Sequence, residues 1–370
     1  MAALRHRCGD AIRFSGVGGE HMTAQGLDSL FPISDLSVMG FFEVLPRLPR
    51  LLARLKQVRE AALDLRPEAL VTIDAPGFNF RLAKRLSGAG IARIHYVAPT
   101  VWAWRPGRAK EIAGCLEHLM TFLPFEPAYF EPHGLPSSFV GHPAVEAAGG
   151  DGIGFRRRHG VEAAAPLLVV LPGSRRMEIE RHLPIFEAAV RRLRDRWPRL
   201  ATAVPAAPGV ADSVITAVGR WPGRNLTVLG EAEKLDAFAA AEAALAVSGT
   251  VALELALAST PTVIAYRGNP LSAAIVRRLA LVRYASLVNI LLQREEQPER
   301  LQENCRPDQL SDAVAGLLAQ GRQRTAKATA CTIRRMLTPD GARPSQKAAD
   351  VVLRVADEFA RAAAHAAPAR

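Results

Sequence analysis

The feature that most constrains the fold is the alternation of short apolar runs with longer helix-like stretches along the chain. Six runs have the composition of buried strands: ALVTI before Asp74, ARIHYVA before Pro99, LLVVL before Pro172, and then NLTVLG, AALAVS and TPTVIAY. Strands that alternate with helices form parallel sheets of βαβ units. The sequence therefore predicts an α/β fold built on parallel sheets.

Length and local composition predict two such sheets. A chain of 370 residues exceeds what one hydrophobic core usually supports. The segment 144–166 is rich in Gly and Ala and precedes a new strand signal, so it marks the boundary. We expect a domain over 1–148 and a second over 149–338, both doubly wound and Rossmann-like, facing each other across a cleft.

The C-terminal segment 339–370 has the pattern of an amphipathic helix followed by a tail. Apolar residues recur at helical spacing at Val351, Val352, Val355 and Phe359. A stripe of this kind needs an apolar surface to cover. We therefore expect this helix to pack back onto the protein.

Composition and charge narrow the functional classes. Hydrophobic residues make up 49% of the chain and charged residues 22%, which is a globular balance. The formal charge is +11, and 41 of the 47 basic residues are arginine. These residues are scattered and no nucleic-acid-binding motif accompanies them. We expect phosphate-bearing small molecules or an anionic membrane surface as partners, and no nucleic acid.

The chain carries no pattern typical of a metal site, a disulfide framework or a targeting segment. The cysteines are far apart and form no C-x-x-C pair; they are Cys8, Cys115, Cys305 and Cys331. No D-x-D element is present either. The N-terminus lacks an apolar signal region, and every apolar run is shorter than the ~18 residues that span a bilayer. We expect a cytoplasmic protein that uses no metal and no cofactor.

The turn after LLVVL is a candidate anion site. Pro172, Gly173 and Ser174 precede Arg175 and Arg176 and a helix-like segment. Backbone N–H groups and guanidinium donors at such a turn can hold one anion. The alternative is an ordinary strand-to-helix loop in which Ser174 caps the helix.

A second turn of this type follows the run AALAVS. Ser248, Gly249 and Thr250 lie between a strand and a helix, and Glu254 follows one helical turn later on the same face. A phosphate bound at this turn would bring its ribose near the Glu254 carboxylate. The alternative is a capped helix with a solvated glutamate.

Two features of the N-terminal half are candidates for catalysis and substrate contact. Asp74 ends an apolar strand, where a carboxylate could act as a general base or as a turn or helix cap. Trp102 and Trp104 lie two residues apart, and such side chains share a face only in an extended segment. They form either a packing plug or an aromatic wall for substrate.

The segment 38–56, VMGFFEVLPRLPRLLARLK, combines apolar and basic residues. The apolar ones are Val38, Met39, Phe41 and Phe42. The basic ones are Arg47, Arg50, Arg54 and Lys56. Such a segment suits an anionic membrane interface, and the alternative is that its apolar residues belong to the core.

Taken together, eight segments resemble the lipid-A-disaccharide synthase family over nearly the whole chain and in the family's order. They are VMGFFEVLPRL, IDAPGFNF, HYVAPTVWAWRPGR, FLPFEPAYF, FVGHP, LPGSRRMEIE, VSGTVALELAL and PTVIAYR. The resemblance implies a GT-B glycosyltransferase at the bacterial inner membrane. Family members join UDP-2,3-diacylglucosamine to 2,3-diacylglucosamine 1-phosphate (lipid X), with inversion. The products are the β-1,6 lipid A disaccharide 1-phosphate and UDP.

The resemblance also implies roles for individual residues. Asp74 becomes the base that deprotonates the acceptor 6-hydroxyl, and Glu254 contacts the donor ribose. The other donor-site residues implied are Gly173, Ser174, Arg175, Ser248, Gly249, Thr250 and Asn289. The residues implied at the acceptor or membrane side are Val38, Met39, Phe41, Phe42, Glu43, Trp102, Trp104 and Arg105. A homodimer is compatible with the family.

Two alternatives stay open at this point. Another GT-B enzyme that transfers N-acetylglucosamine from UDP would share the donor turn but not the Trp-Ala-Trp-Arg element. The chain also begins at a sequence that resembles the end of the family's first helix and its second strand, without the first strand and its GEASGD-like loop. We expect in-frame DNA upstream of Met1 to encode that strand. If the shorter start is genuine, a non-catalytic nucleotide-sugar or lipid-binding homologue is the alternative.

Overall fold

A computed structural model describes residues 1–36, 48–147, 149–320 and 324–366. The chain divides into two compact units. Unit 1 comprises Met1–Pro143 together with Leu337–Arg370, and unit 2 comprises Ala144–Met336. The C-terminal segment thus belongs to the same unit as the N-terminus.

Unit 1 is built from the N-terminal and C-terminal segments of the chain, and its described part contains six strands. The strands are β1 (Ser15–Gly16), β2 (Asp28–Ser29), β3 (Ala69–Ile73), β4 (Ala92–Tyr96), β5 (His118–Thr121) and β6 (Ser137–Phe139). The helices are α1 (Ala2–Cys8), α2 (Glu20–Thr23), α3 (Leu48–Leu65), α4 (Pro76–Arg85), α5 (Val101–Trp104), α6 (Arg108–Ala113) and α17 (Pro344–Ala366). Short 3-10 helices cover Gly9–Ala11, Ile33–Asp35, Pro127–Tyr129, Glu131–His133 and Pro339–Gly341.

Strands β3 to β6 form one parallel sheet in the order β3-β4-β5-β6, and β1 pairs with β2 separately. Helix α17 covers one face of the larger sheet, as its apolar spacing predicts. Three valines of this helix pack in a buried cluster with residues of β4, β5 and the segment after β6; they are Val351, Val352 and Val355. The prediction that the C-terminal helix packs back onto the protein is confirmed.

The chain leaves and re-enters unit 1 at a tight junction. Gly141 has φ +88°, and a Cβ there would lie 2.7 Å from the Leu337 carbonyl oxygen. The next residue, His142, donates its backbone N–H to the same oxygen at 3.1 Å. Only glycine combines this backbone conformation with so close an approach.

Unit 2 contains the second parallel sheet. Its strands are β7 (Leu167–Leu171), β8 (Ala201–Pro205), β9 (Asn225–Val228), β10 (Ala243–Val247), β11 (Thr262–Tyr266) and β12 (Glu299–Leu301). Its helices are α7 (Ala144–Ala147), α8 (Gly152–Arg158), α9 (Arg176–Arg196), α10 (Ala211–Val218), α11 (Glu231–Ala240), α12 (Val251–Leu257), α13 (Pro270–Leu279), α14 (Leu287–Leu292), α15 (Pro307–Gln320) and α16 (Arg324–Leu337), the last of which ends at the unit boundary. Short 3-10 helices cover Pro208–Val210 and Gln302–Asn304.

The sheet of unit 2 has the order β12-β11-β10-β7-β8-β9, and its described pairings are all parallel. Counted from β7, this is the doubly wound order 3-2-1-4-5-6 in reverse, with apolar clusters on both faces of the sheet. Strands β7 and β10 are covered on both faces, which explains why they read as unbroken apolar runs. All six strand runs predicted from the sequence are strands in the structure, and the α/β prediction is confirmed.

No helix within the described residues is both long enough and apolar enough to cross a bilayer.

Candidate functional site

The two predicted anion turns lie side by side in unit 2. Strands β7 and β10 are hydrogen-bonded neighbours, with Leu171 opposite Ala246. The turn at Gly173 follows β7 and the turn at Ser248 follows β10, so both begin at the same edge of the sheet. Between these two strands the strand order reverses, and ligands of open α/β sheets bind at that point. The fold therefore brings the predicted donor residues of both turns to one place.

The turn after β7 is shaped by Glu178 in the first turn of α9. Glu178 accepts hydrogen bonds from the Ser174 backbone N–H (3.1 Å) and from Arg175 Nη1 (2.8 Å). Gly173 has φ +122°, and a Cβ there would lie 2.6 Å from the Glu178 Cβ. A larger residue would displace Glu178, so glycine is required. Ser174 and Arg175 are exposed, so the Ser174 hydroxyl and the guanidinium N–H groups of Arg175 that do not contact Glu178 are accessible to an anion from solution.

The interpretation of Ser174 as the helix cap is wrong. The N-cap of α9 is Arg175, and no side-chain hydrogen bond caps this helix. The Glu178 carboxylate satisfies the backbone N–H of Ser174 instead, and a negative charge at this end of a long helix is favourable. The Ser174 hydroxyl is therefore not committed to capping.

The turn after β10 is open to solvent, and its helix carries an ion pair. Gly249 and Thr250 are exposed, while Ser248 Oγ donates to the Ala285 carbonyl at 3.0 Å. Glu254, one turn into α12, is not simply solvated, because its Oε2 accepts a hydrogen bond from Lys234 Nζ at 2.7 Å. Lys234 belongs to α11, which follows β9. The alternative of a solvated glutamate does not hold.

Asn289 lies in the interior of the same unit and is fully buried. Its amide nitrogen donates to the Gln297 carbonyl and to Glu299 Oε1, both at 2.8 Å. Its amide oxygen accepts from the backbone N–H groups of Glu296 and Gln297, both at 2.8 Å. These bonds use the whole hydrogen-bonding capacity of the amide. Asn289 thus fixes the segment that follows α14 and has no polar capacity left for a ligand.

His182 is a positioning residue that the sequence did not single out. It is buried in α9, and its Nδ1 lies 2.8 Å from the Glu178 carbonyl oxygen. Its Nε2 accepts from the Arg267 backbone N–H at 3.0 Å, which assigns the proton to Nδ1. Burial lowers the pKa of His182 below its ordinary value, in keeping with a neutral ring. It ties α9 to the loop after β11.

Asp74 lies in unit 1, directly after β3, in a strained turn. Asp74 has φ +48° and Ala75 has φ +42°, both in the left-handed region that non-glycine residues rarely adopt. Asn79 Nδ2 donates to the carbonyls of Ile73 (3.0 Å) and Asp74 (2.7 Å) and thereby holds the turn. Asp74 is exposed and does not cap α4, whose N-cap is Ala75. The interpretation as a helix cap is therefore wrong, and the carboxylate is accessible.

The two tryptophans do not form one surface, because Val101–Trp104 is helical rather than extended. Trp102 is buried, and its Nε1 donates to Glu126 Oε1 at 3.1 Å. Trp104 is 42% exposed, with the Arg105 guanidinium carbon 4.3 Å from its ring centroid. Trp102 is a packing residue, and of the two indoles only that of Trp104 faces solvent.

Glu126 anchors this part of unit 1 and was not predicted from the sequence. Besides the Trp102 indole it accepts the backbone N–H groups of Phe122 (3.0 Å) and Leu123 (2.9 Å), which follow β5. Burial raises the pKa of Glu126 to about 7, although these hydrogen bonds favour the ionised form. The buried carboxyl joins α5 to the loop after the neighbouring strand.

The remaining predicted residues of the acceptor or membrane side lie outside the described residues; they are Val38, Met39, Phe41, Phe42 and Glu43. The described part of this segment begins in α3. There Arg50 and Arg54 both form ion pairs with Asp35, at 2.9 and 2.8 Å. Lys56 lies 3.7 Å from Glu60. These basic side chains are thus partly neutralised within unit 1.

Solved structures with related folds support the GT-B prediction. The glycotransferase of kitacinnamycin superposes with a TM-score of 0.60 at 16% identity, covering 95% of this chain and 94% of that one. The UDP-GlcNAc 2-epimerase from Neisseria meningitidis, solved bound to UDP-GlcNAc, superposes with a TM-score of 0.54 at 8% identity, covering 91% and 87%. At these identities the similarity shows the fold alone. The prediction of a GT-B fold with parallel sheets is confirmed.

Sequence comparison identifies the family. The family model of lipid-A-disaccharide synthetase matches residues 2–352. The lipid-A-disaccharide synthase of Rhodospirillum centenum is 54% identical over 360 residues, covering 96% of this chain and 90% of that protein. A match of this length and identity includes both units and both anion turns. The chain belongs to the lipid-A-disaccharide synthase family.

Proposed function

We propose that this protein transfers the 2,3-diacylglucosaminyl group of UDP-2,3-diacylglucosamine to the 6-hydroxyl of lipid X, forming the β-1,6 lipid A disaccharide 1-phosphate and UDP. The observation that carries the proposal is the pair of anion turns at the reversal of strand order in unit 2. This geometry suits a nucleoside diphosphate, and membership of the family supports the identity of the transferred sugar and of its acceptor.

The donor diphosphate is proposed to bind at Gly173, Ser174 and Arg175. The Arg175 side chain is 58% exposed, and Glu178 contacts only its Nη1. Its guanidinium therefore offers further N–H donors to a phosphate. Because negative charge accumulates on UDP as the glycosidic bond breaks, Arg175 stabilises the transition state more than the bound donor.

The ribose side of the donor is proposed to lie along α12. Ser248, Gly249 and Thr250 line the approach, and Glu254 accepts a ribose hydroxyl. Asn289 supports this site indirectly. The Glu299 carboxylate, which accepts from the Asn289 amide, also accepts from the backbone N–H groups of Ala285 and Ser286. The Ala285 carbonyl in turn accepts from the Ser248 hydroxyl.

Asp74 is proposed as the general base. Its carboxylate accepts the proton of the acceptor 6-hydroxyl while that oxygen attacks the anomeric carbon of the donor from the side opposite UDP. One C–O bond forms as the bond to the diphosphate breaks, and the configuration inverts. A single base suffices for this displacement. The strained backbone at Asp74 is typical of a functional turn.

The acyl chains and the membrane are proposed to meet unit 1. The segment 38–56 supplies the apolar and basic character, and Trp104 with Arg105 forms an exposed aromatic-basic pair. We expect peripheral binding to the cytoplasmic face of the inner membrane. Vesicle flotation would then show binding to anionic lipid that falls as salt is added. Sedimentation of the same preparation tests for the homodimer compatible with the family.

The experiment that tests the proposal is release of UDP by the purified protein. UDP should appear only when the diacylated donor and lipid X are both present, and a labelled disaccharide should form in equal amount. Transfer from non-acylated UDP-N-acetylglucosamine to another acceptor would indicate a different GT-B transferase. Binding of UDP without any turnover would favour a non-catalytic homologue.

A further inference from the structure

The environment of Glu254 contains a charged partner that comes from another helix. Lys234 Nζ lies 2.7 Å from Glu254 Oε2 and 2.6 Å from Glu231 Oε1. The Lys234 and Glu254 side chains are only 18% and 22% exposed, whereas Glu231 is 67% exposed. The interaction between Lys234 and Glu254 is therefore the shielded one of the two.

Lys234 is held in place by packing as well as by charge. Its ammonium lies 5.7 Å from the ring centroid of Phe238, one helical turn later in α11, and Phe238 is fully buried. Burial opposes the charged form, but the hydrogen bonds to Glu231 and Glu254 outweigh it and raise the pKa of Lys234 above its ordinary value. Lys234 is thus a fixed cation at neutral pH.

This arrangement restricts what Glu254 can do. A free glutamate on a helix surface samples several rotamers, and ordering it has an entropic cost. With Oε2 committed to Lys234, the carboxylate is fixed and Oε1 is left to accept from a ligand. The cation also offsets the repulsion between this carboxylate and the diphosphate of an incoming nucleotide.

We propose that Lys234 is a positioning residue for nucleotide recognition, which holds Glu254 so that its carboxylate accepts a ribose hydroxyl and thereby discriminates ribonucleotides from deoxyribonucleotides. The inference rests on the proposed function, because it assumes that UDP binds at these two turns. Lys234 acts through Glu254 and does not itself contact the nucleotide.

The test is calorimetric binding of UDP, 2′-deoxy-UDP and 3′-deoxy-UDP to the full chain and to its variants. The parent should bind UDP about tenfold more tightly than at least one deoxy analogue, because a site built around a hydroxyl loses a hydrogen bond to a charged group. Lys234→Met should lower UDP affinity by about tenfold and reduce the preference for UDP to within about threefold.

Two variants control for charge and for folding. Glu231→Gln removes the exposed partner of Lys234 and should leave the preference for UDP unchanged. Lys234→Arg keeps a cation and should retain most of the preference. If Lys234→Met does not fold, Lys234→Gln is measured in its place. Because glutamine loses the charge but keeps a hydrogen-bond donor, this variant should lose part of the preference for UDP, though less than is predicted for Lys234→Met.

The outcomes are separable. If Lys234→Met weakens UDP and both deoxy analogues equally, Lys234 acts only through general electrostatics or stability, and the inference is wrong. If the parent binds all three nucleotides equally, the inference is wrong while glycosyl transfer still stands. If the parent does not bind UDP at all, the proposed function fails and the inference fails with it.

Discussion

Replacing Asn79 with alanine should lower the rate of sugar transfer, because it allows the strained turn that holds Asp74 to relax. Alanine is a good helix former, so helix α4 itself is not weakened. The substitution removes the two hydrogen bonds from Asn79 Nδ2 to the carbonyls of Ile73 and Asp74. Each such bond contributes about 1 kcal/mol.

The strain that these bonds oppose is of similar size. Two non-glycine residues, Asp74 and Ala75, have φ of +48° and +42°, and each costs roughly 1 kcal/mol or more. Losing both bonds therefore raises the free energy of the strained turn, relative to a relaxed conformation, by about 2 kcal/mol. This corresponds to a drop in kcat of about 10- to 30-fold. UDP affinity should not change, because the donor turns lie in unit 2.

The assay is the steady-state rate of UDP release with both substrates, together with UDP affinity by calorimetry and the melting temperature. Ala75→Gly provides the matched control, because glycine adopts positive φ without strain. Added to Asn79→Ala, it should restore activity by about fivefold. Parental turnover in Asn79→Ala, or no recovery in the double variant at equal stability, would refute the reasoning.

Three further predictions concern the anion turn and the pH dependence of stability. Arg175→Ala should weaken UDP binding and lower turnover by about 10- to 100-fold, because the Arg175 guanidinium contacts the negative charge of the diphosphate in both the ground state and the transition state; unchanged UDP affinity by calorimetry would remove Arg175 from the site. Glu178→Gln should tighten UDP binding by about threefold at low salt, because one negative charge leaves the anion turn; weaker binding would mean that Glu178 instead orients Arg175. Acid should destabilise unit 1 below pH 6.5, because burial lowers the pKa of three of its histidines to about 4, namely His95, His118 and His142. Each of these histidines loses about 1 kcal/mol of stability from pH 6.5 to 5.5, whereas Glu126, with its pKa raised to about 7, gains about 1 kcal/mol over the same interval. Urea unfolding should therefore lose about 2 kcal/mol of stability from pH 6.5 to 5.5; a flat profile would contradict this.

Each strand predicted from the sequence is buried along most of its length or rich in β-branched residues, but burial alone was not sufficient, because the fully buried β8, ATAVP, was not predicted. Strands β7 and β10 are of this kind, because parallel strands with helices on both sides carry no polar alternation. Strands β5 and β12 gave no such signal. The first, HLMT, contains a buried histidine, and the second, ERL, has three residues, two of them charged, at the sheet edge.

The position of the candidate site was predictable, but the partners of its residues were not. The ends of strands fix where Gly173, Ser248 and Asp74 lie, since these turns follow strands that the apolar runs reveal. Glu254 and Lys234 lie on different helices and are 20 residues apart in the sequence, so no local spacing predicts that they pair. Likewise, an aromatic-rich segment such as Val101–Trp104 favours a strand by composition, whereas the structure makes it helical and gives the Trp102 indole a buried acceptor, Glu126.

The most direct test of the account is the transfer rate of Asp74→Asn, measured as labelled disaccharide formed from UDP-2,3-diacylglucosamine and lipid X. The substitution preserves volume and removes the base. We predict that the variant melts at the parental temperature, binds UDP with parental affinity, and transfers sugar about 10²- to 10⁴-fold more slowly. Transfer at the parental rate by a folded Asp74→Asn protein would contradict the assignment of Asp74 as the base.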